Sequence, residues 1–187
     1  MIEVEVKAYV DDPKHLERSI IALGAAPIGI ETQADTYYNA PYRDFGKTDE
    51  ALRIRVKGSE YFLTYKGPKM DKISKTRKEF EVGIKGGHNM GEILTSLGFC
   101  PVATIVKKRK NYRLGEFFIA LDEVRNLGNF IEIEISAMKS KNHEEKVESI
   151  FRLLEKLNIS RESTIRKSYL EMVLESGKDG NCSSVIE

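Results

Sequence analysis

Apolar and charged positions alternate through the opening segment IEVEVKA, with Ile2, Val4, Val6 and Ala8 on one side and Glu3, Glu5 and Lys7 on the other. An extended strand points successive side chains to opposite faces, so the pattern predicts a strand with one oily and one charged face. The same two-residue period returns in nearly every later strand candidate. Arg53 and Arg55 alternate with Leu52, Ile54 and Val56, and Lys66 faces away from Leu63 and Tyr65. Arg77, Glu79 and Glu81 oppose Phe80 and Val82, while Lys107 and Arg109 fall on one side of their segment. Asp122 opposes Ile119 and Leu121, and Glu132 and Glu134 oppose Ile131, Ile133 and Ile135.

The later strands are expected at about 29–39, 51–57, 60–67, 74–83, 102–113, 116–125 and 129–137. Helices are expected at about 13–23, 89–97, 142–157 and 164–175, where the apolar period lengthens. Asp12 followed by Pro13 is a helix start, because proline at the first helical position gives up an N–H that has no partner anyway. Val147, Ile150, Phe151, Leu154 and Leu157 share one face of the third of these helices.

Strands of this kind assemble in two ways. Their oily faces can line a sandwich or barrel core with the charges in water, which is the commoner arrangement. Alternatively they close around a charged interior while helices cover the oily side. Two details favour the second. The amphipathic helices need an apolar surface to bury against. The charged faces are also mostly Arg and Glu, with few of the Thr, Ser and Gln of a solvated strand face. The expected fold is therefore α+β: an eight-stranded antiparallel closed β-barrel, a tunnel with a charged interior and amphipathic helices packed outside.

A chain of 187 residues with 41% hydrophobic side chains buries a sizeable core, so one domain is expected over 1–176, with a flexible C-terminal tail at 177–187. The 30 basic and 29 acidic side chains nearly cancel, which argues against a bulk nucleic-acid or membrane binder. Cys100 and Cys182 match neither a disulfide framework nor a zinc spacing. No signal-like or membrane-spanning run is evident, so a cytoplasmic location is expected.

Buried charges at this density are costly unless paired or neutralised by a ligand. Arg53, Arg55, Lys66, Arg77, Lys107 and Arg109 form a set suited to linked phosphates, Arg offering a planar fork and Lys a point charge. Carboxylates would repel that ligand directly. Glu3, Glu5, Glu132 and Glu134 therefore make sense as oxygen donors to Mg²⁺ or Mn²⁺.

Glu3-x-Glu5-x-Lys7 at the start of the chain resembles the signature of the CYTH superfamily, the triphosphate tunnel metalloenzymes. Further matches follow in family order: Asp35-Thr36-Tyr37-Tyr38, Arg53-Ile54-Arg55, Leu63-Thr64-Tyr65-Lys66-Gly67, Arg77-x-Glu79-x-Glu81, Lys107-x-Arg109, Leu121-Asp122-Glu123-Val124 and Glu132-Ile133-Glu134. The resemblance implies a metal site of Glu3, Glu5, Glu132 and Glu134, with Asp122 as an additional ligand. It implies a phosphate grip of Arg53, Arg55, Lys66, Lys107 and Arg109, with Arg77 either joining it or orienting Glu79 and Glu81. Lys7, Glu5 and Glu134 are the catalytic candidates, Lys7 against a phosphate or the attacking oxygen.

The implied activity is that of a class IV adenylyl cyclase, converting ATP to cyclic AMP and pyrophosphate. The alternative is a triphosphatase acting on tripolyphosphate, thiamine triphosphate or a nucleoside triphosphate. The cofactor implied is Mg²⁺ or Mn²⁺, and the partner a triphosphate-bearing small molecule. A homodimer is the assembly that the likeness to cyclases suggests.

Overall fold

A computed structural model describes residues 2–69, 77–137 and 143–177 of the chain. Among them are nine strands and five α-helices. The strands are β1 (Ile2–Tyr9), β2 (Ala26–Asn39), β3 (Ala51–Lys57), β4 (Glu60–Lys66), β5 (Glu79–Ile84), β6 (Cys100–Leu114), β7 (Phe117–Val124), β8 (Gly128–Ala137) and β9 (Thr164–Ile165). The helices are α1 (Pro13–Ala22), α2 (Phe45–Thr48), α3 (Gly87–Ser96), α4 (His143–Lys156) and α5 (Tyr169–Glu175). The strands form one sheet in the order β5-β4-β3-β2-β6-β7-β8-β1-β9, and the recorded ladders are antiparallel. The α+β class and the eight long strands are those expected.

The chain divides into two compact units, Met1–Thr32 with Lys69–Lys78 and Lys107–Arg166, and Gln33–Pro68 with Glu79–Val106 and Lys167–Glu187. In the first, Val4, Val6 and Ala8 of β1, Ile119 and Leu121 of β7, and Ile131, Ile133 and Ile135 of β8 form one apolar layer. Leu16 and Ile20 of α1, and Val147, Ile150, Phe151 and Leu154 of α4, close over it. Burying a Leu or Ile side chain contributes about 1.5–3 kcal/mol, so this layer holds the sheet face to its helices. In the second unit Leu52 and Ile54 of β3 pack with Ala40, Phe45 and Leu94, joined by Tyr38, Leu63, Tyr65 and Ile84. In both units the oily side of the strands is the side the helices cover.

Local signals set the boundaries. The Asp12 carboxylate accepts from the backbone N–H groups of Lys14 (3.1 Å) and His15 (2.9 Å), starting α1 as expected. Gly58, at φ 59°, allows the tight turn that fixes the β3–β4 register.

Two expectations are corrected. The helix expected from about 164 begins instead at Tyr169, where Ser168 and Glu171 form a capping box. Thr164 and Ile165 before it pair with Ala8 and Lys7 as a short strand on the outer edge of β1. Residues 70–76 of the strand expected at 74–83 lie outside the described residues. The strand described there begins at Glu79, so Arg77 precedes it. The expected tail lies outside the described residues from 178 onward. No helix among the described residues is long and apolar enough to cross a membrane.

A polar clasp fastens α1 to β6. Glu17 accepts hydrogen bonds from the Lys110 ammonium (2.6 Å) and the Tyr112 hydroxyl. Lys110 is thus a half-buried partner of the helix. The bonds from Lys110 and then Tyr112 outweigh burial and hold the Glu17 carboxyl below its ordinary value. A depressed folded-state carboxyl adds stability that is complete above its unfolded value and lost as the pH falls through the folded one. Glu17→Gln is therefore expected to cost about 1 kcal/mol at pH 7 in urea unfolding. The wild-type advantage should fade as the pH drops below about 4.

Candidate active site

The face of each unit opposite its helices carries the charged residues. In the first unit Lys7, Lys107 and Asp122 are each at most 4% exposed. The Asp122 carboxylate accepts from Lys107 Nζ (3.1 Å), Arg109 Nε (2.6 Å) and Arg109 Nη2 (2.5 Å). Arg109 also donates to Glu132, whose other oxygen lies 3.2 Å from Lys7 Nζ. Strand register produces this chain of contacts, because Arg109 stands opposite Asp122 and Lys7 opposite Glu132. Five of the expected site residues thereby form one largely buried relay of alternating sign.

The second unit repeats the device with the acid and the bases exchanged between strands. Asp35 of β2, 3% exposed, accepts a fork from Arg55 (Nε 2.6 Å, Nη2 2.7 Å) and a longer bond from Arg53 (3.3 Å). Arg53 Nη2 also lies 3.8 Å from Glu79 and 3.9 Å from Glu81. Lys66 pairs with Glu79 at 2.6 Å, and the Thr64 hydroxyl donates to Glu81. Burial alone would depress the Arg53 guanidinium, but Asp35, followed by Tyr37 and Glu79, outweighs it and raises the group further, so Arg53 stays charged. Burial lifts the Tyr37 phenol above its usual value, against the pull of Arg53, so Tyr37 stays protonated.

Sequence reasoning placed Asp35 in a matching motif but gave it no role. Its signal was a lone acid on an otherwise uncharged strand segment, Gln33–Asn39, directly opposite an arginine of the next strand. Glu79 and Glu81 have Lys66, Arg53 and Thr64 among their partners.

The CYTH domain family matches residues 1–169. The chain belongs to the CYTH domain family. This CYTH protein is 44% identical over 172 residues to a Methanocaldococcus jannaschii protein that carries the name "Putative adenylate cyclase MJ0240", covering 92% of this chain and 98% of the other. The solved structure of the PH1819 protein from Pyrococcus horikoshii OT3 matches with a TM-score of 0.87 and 42% identity, over 93% of this chain and 99% of that one. A Hippeastrum protein named "Putative adenylyl cyclase HpAC1", for which "a dominant triphophatase activity" is stated, shares the fold at a TM-score of 0.65 and 18% identity, over 95% of this chain and 96% of that one.

CYTH members are generally metal-dependent, and the donor set of this one can be tested against its geometry. Among the described residues no three of His, Cys, Asp and Glu gather closely enough to hold an ion. Asp122 is engaged by Lys107 and Arg109, and Glu132 by Arg109 and Lys7, so in this arrangement both face cations. Glu5 and Glu134 are directly opposed across β1 and β8, where like charges repel and a shared cation would relieve them. As an opposed pair of carboxylates they have the donor chemistry a hard metal ion takes. Glu3 lies on the same strand face, opposite Ser136, with its side chain outside the described set.

If the aspartate holds two cations in place, removing its charge leaves two buried positive groups uncompensated. Asp35→Asn is expected to lower unfolding free energy by about 3 kcal/mol in chemical denaturation. Lys47→Gln, at the exposed 4.0 Å pair with Asp44, should change it by less than about 0.5 kcal/mol.

Proposed function

We propose that this CYTH protein is a metal-dependent enzyme acting on triphosphates, and that it runs the class IV adenylyl cyclase reaction. The observation that carries the reading is the charged layer of the first unit, where buried Lys7, Lys107 and Asp122 are joined by part-buried Arg109 and Glu132. A charged layer of this kind is weaker than an apolar one of equal volume, so a ligand role accounts for it better than stability does. The name carried by the 44% identical relative favours the cyclase reaction.

In that reaction the ribose 3′-hydroxyl of ATP attacks the α-phosphorus. The bond from O3′ to Pα forms, the bond from Pα to the bridging oxygen breaks, pyrophosphate leaves, and the hydroxyl proton passes to solvent water. Arg109 and Lys107 are the groups proposed to bind phosphate oxygens and to stabilise charge on the departing pyrophosphate. Asp122 fixes the Arg109 fork through two bonds, so its orientation is set before a ligand arrives. Lys7 neutralises a phosphate or the attacking oxygen. Arg53, Arg55 and Lys66 supply a second basic set of the same construction, with Arg77 its flanking member. Glu5 and Glu134, joined by Glu3, would hold Mg²⁺ or Mn²⁺, with Glu132 and Asp122 the further candidates. A bound ion there would draw charge from phosphate oxygens and make phosphorus more electrophilic.

Hydrolysis is the second reading, favoured by the triphosphatase activity of the Hippeastrum protein of the same fold. The same grip would serve an attacking water. Incubation with ATP or tripolyphosphate and Mg²⁺ or Mn²⁺, with product identification, separates the two. Cyclic AMP with pyrophosphate is the expected outcome, whereas orthophosphate without a cyclic nucleotide assigns hydrolysis. Glu134→Gln should lower kcat at least about 100-fold while tripolyphosphate still binds. Unchanged turnover in that variant would remove Glu134 from the metal site.

A further inference from the structure

Asn111 stands on β6 two residues beyond Arg109, and four beyond Lys107, on the same strand face. It is 7% exposed, and its Oδ1 atom has no hydrogen-bond partner among the described residues. A buried acceptor without a partner costs about 1–3 kcal/mol, so its retention beside the charged layer calls for an account. Opposite Asn111 on β7 is Ala120, and opposite Ala120 on β8 is Glu132, which pairs with Lys7. Ala120 ends at its methyl group, so Asn111, Ala120 and Glu132 form a shelf with polar ends and a low floor.

The chemistry of the orphaned atom narrows what belongs there. An amide oxygen accepts and cannot donate. A fully ionised phosphate offers no proton, so Oδ1 is not a phosphate contact. It needs an O–H or N–H from an uncharged part of the ligand. Two residues of strand span about 6.8 Å, which places that part next to whatever Arg109 grips.

We propose that Asn111 is a specificity-determining residue whose Oδ1 accepts a hydrogen bond from a ribose hydroxyl of a nucleoside triphosphate. The inference rests on the triphosphate reading and deepens it, because tripolyphosphate offers the grip the same phosphates with no hydroxyl. A site built to pair with a hydroxyl discriminates against ligands lacking it, since the acceptor is then left unpaired.

Calorimetric binding tests this with wild type and Asn111→Leu, each titrated with tripolyphosphate, ATP, 2′-deoxy-ATP and 3′-deoxy-ATP in the same divalent metal. Wild type should bind one of the two deoxynucleotides about 10-fold more weakly than ATP. Asn111→Leu should weaken ATP by the same factor, show no further loss with that deoxynucleotide, and hold tripolyphosphate within about twofold. The variant should melt no lower than wild type, because a buried orphan acceptor has been removed. Equal weakening of ATP and tripolyphosphate, or of neither, overturns the proposal. So does a wild type indifferent to both deoxy changes, a readout that needs no variant to fold. A wild type that binds neither tripolyphosphate nor ATP overturns the triphosphate reading, and this inference with it.

Discussion

The constraint on which the site depends is the need to compensate guanidinium and ammonium groups that the fold takes out of water. Asp35 does this for Arg53 and Arg55, and Asp122 for Lys107 and Arg109. A single carboxylate offers two oxygens, and each aspartate uses both. The forked geometry at Arg55 and at Arg109 holds the guanidinium plane as well as its charge. Helix packing on the reverse side of each strand then keeps that plane still, since Leu121 and Ile54 beside these groups are buried in their own cores.

Much of this was legible before any coordinates. Alternation told which residues share a face, and the helix cores at α1 and α4 follow the apolar period in the sequence. The face assignments of Lys7, Arg53, Arg55, Lys107, Arg109, Asp122 and Glu132 follow from the same period. What could not be read was pairing between strands. Asp35 meets Arg55, and Lys7 meets Glu132, only because ladder register opposes them. Register depends on turns and on burial of whole faces, so no local composition reveals it. Asn111 was missed for a related reason: a lone amide after a run of lysines and arginines looks like surface until its burial is known.

Arg77 and α5 show the limits of periodicity near element ends. Two residues, Thr164 and Ile165, suffice to add a strand to β1, too few for any repeat to announce it. The capping pair Ser168 and Glu171 was a better guide to where α5 begins than the apolar spacing was. At so short a helix the cap's hydrogen bonds mark the boundary more clearly than the hydrophobic period does.

The position of β1 in the sheet has a consequence for how the protein is made. Glu5 and Lys7 come early in the chain, while their partners Glu134 and Glu132 come late, and β1 lies between β8 and β9. A ribosome releases the first strand long before its neighbours exist, so β1 must wait unpaired through most of synthesis. Its alternating acids and bases keep that waiting segment soluble, and joining ends so distant is a slow, late event. Pairing of β1 with β8 is also the step that brings the opposed glutamates face to face.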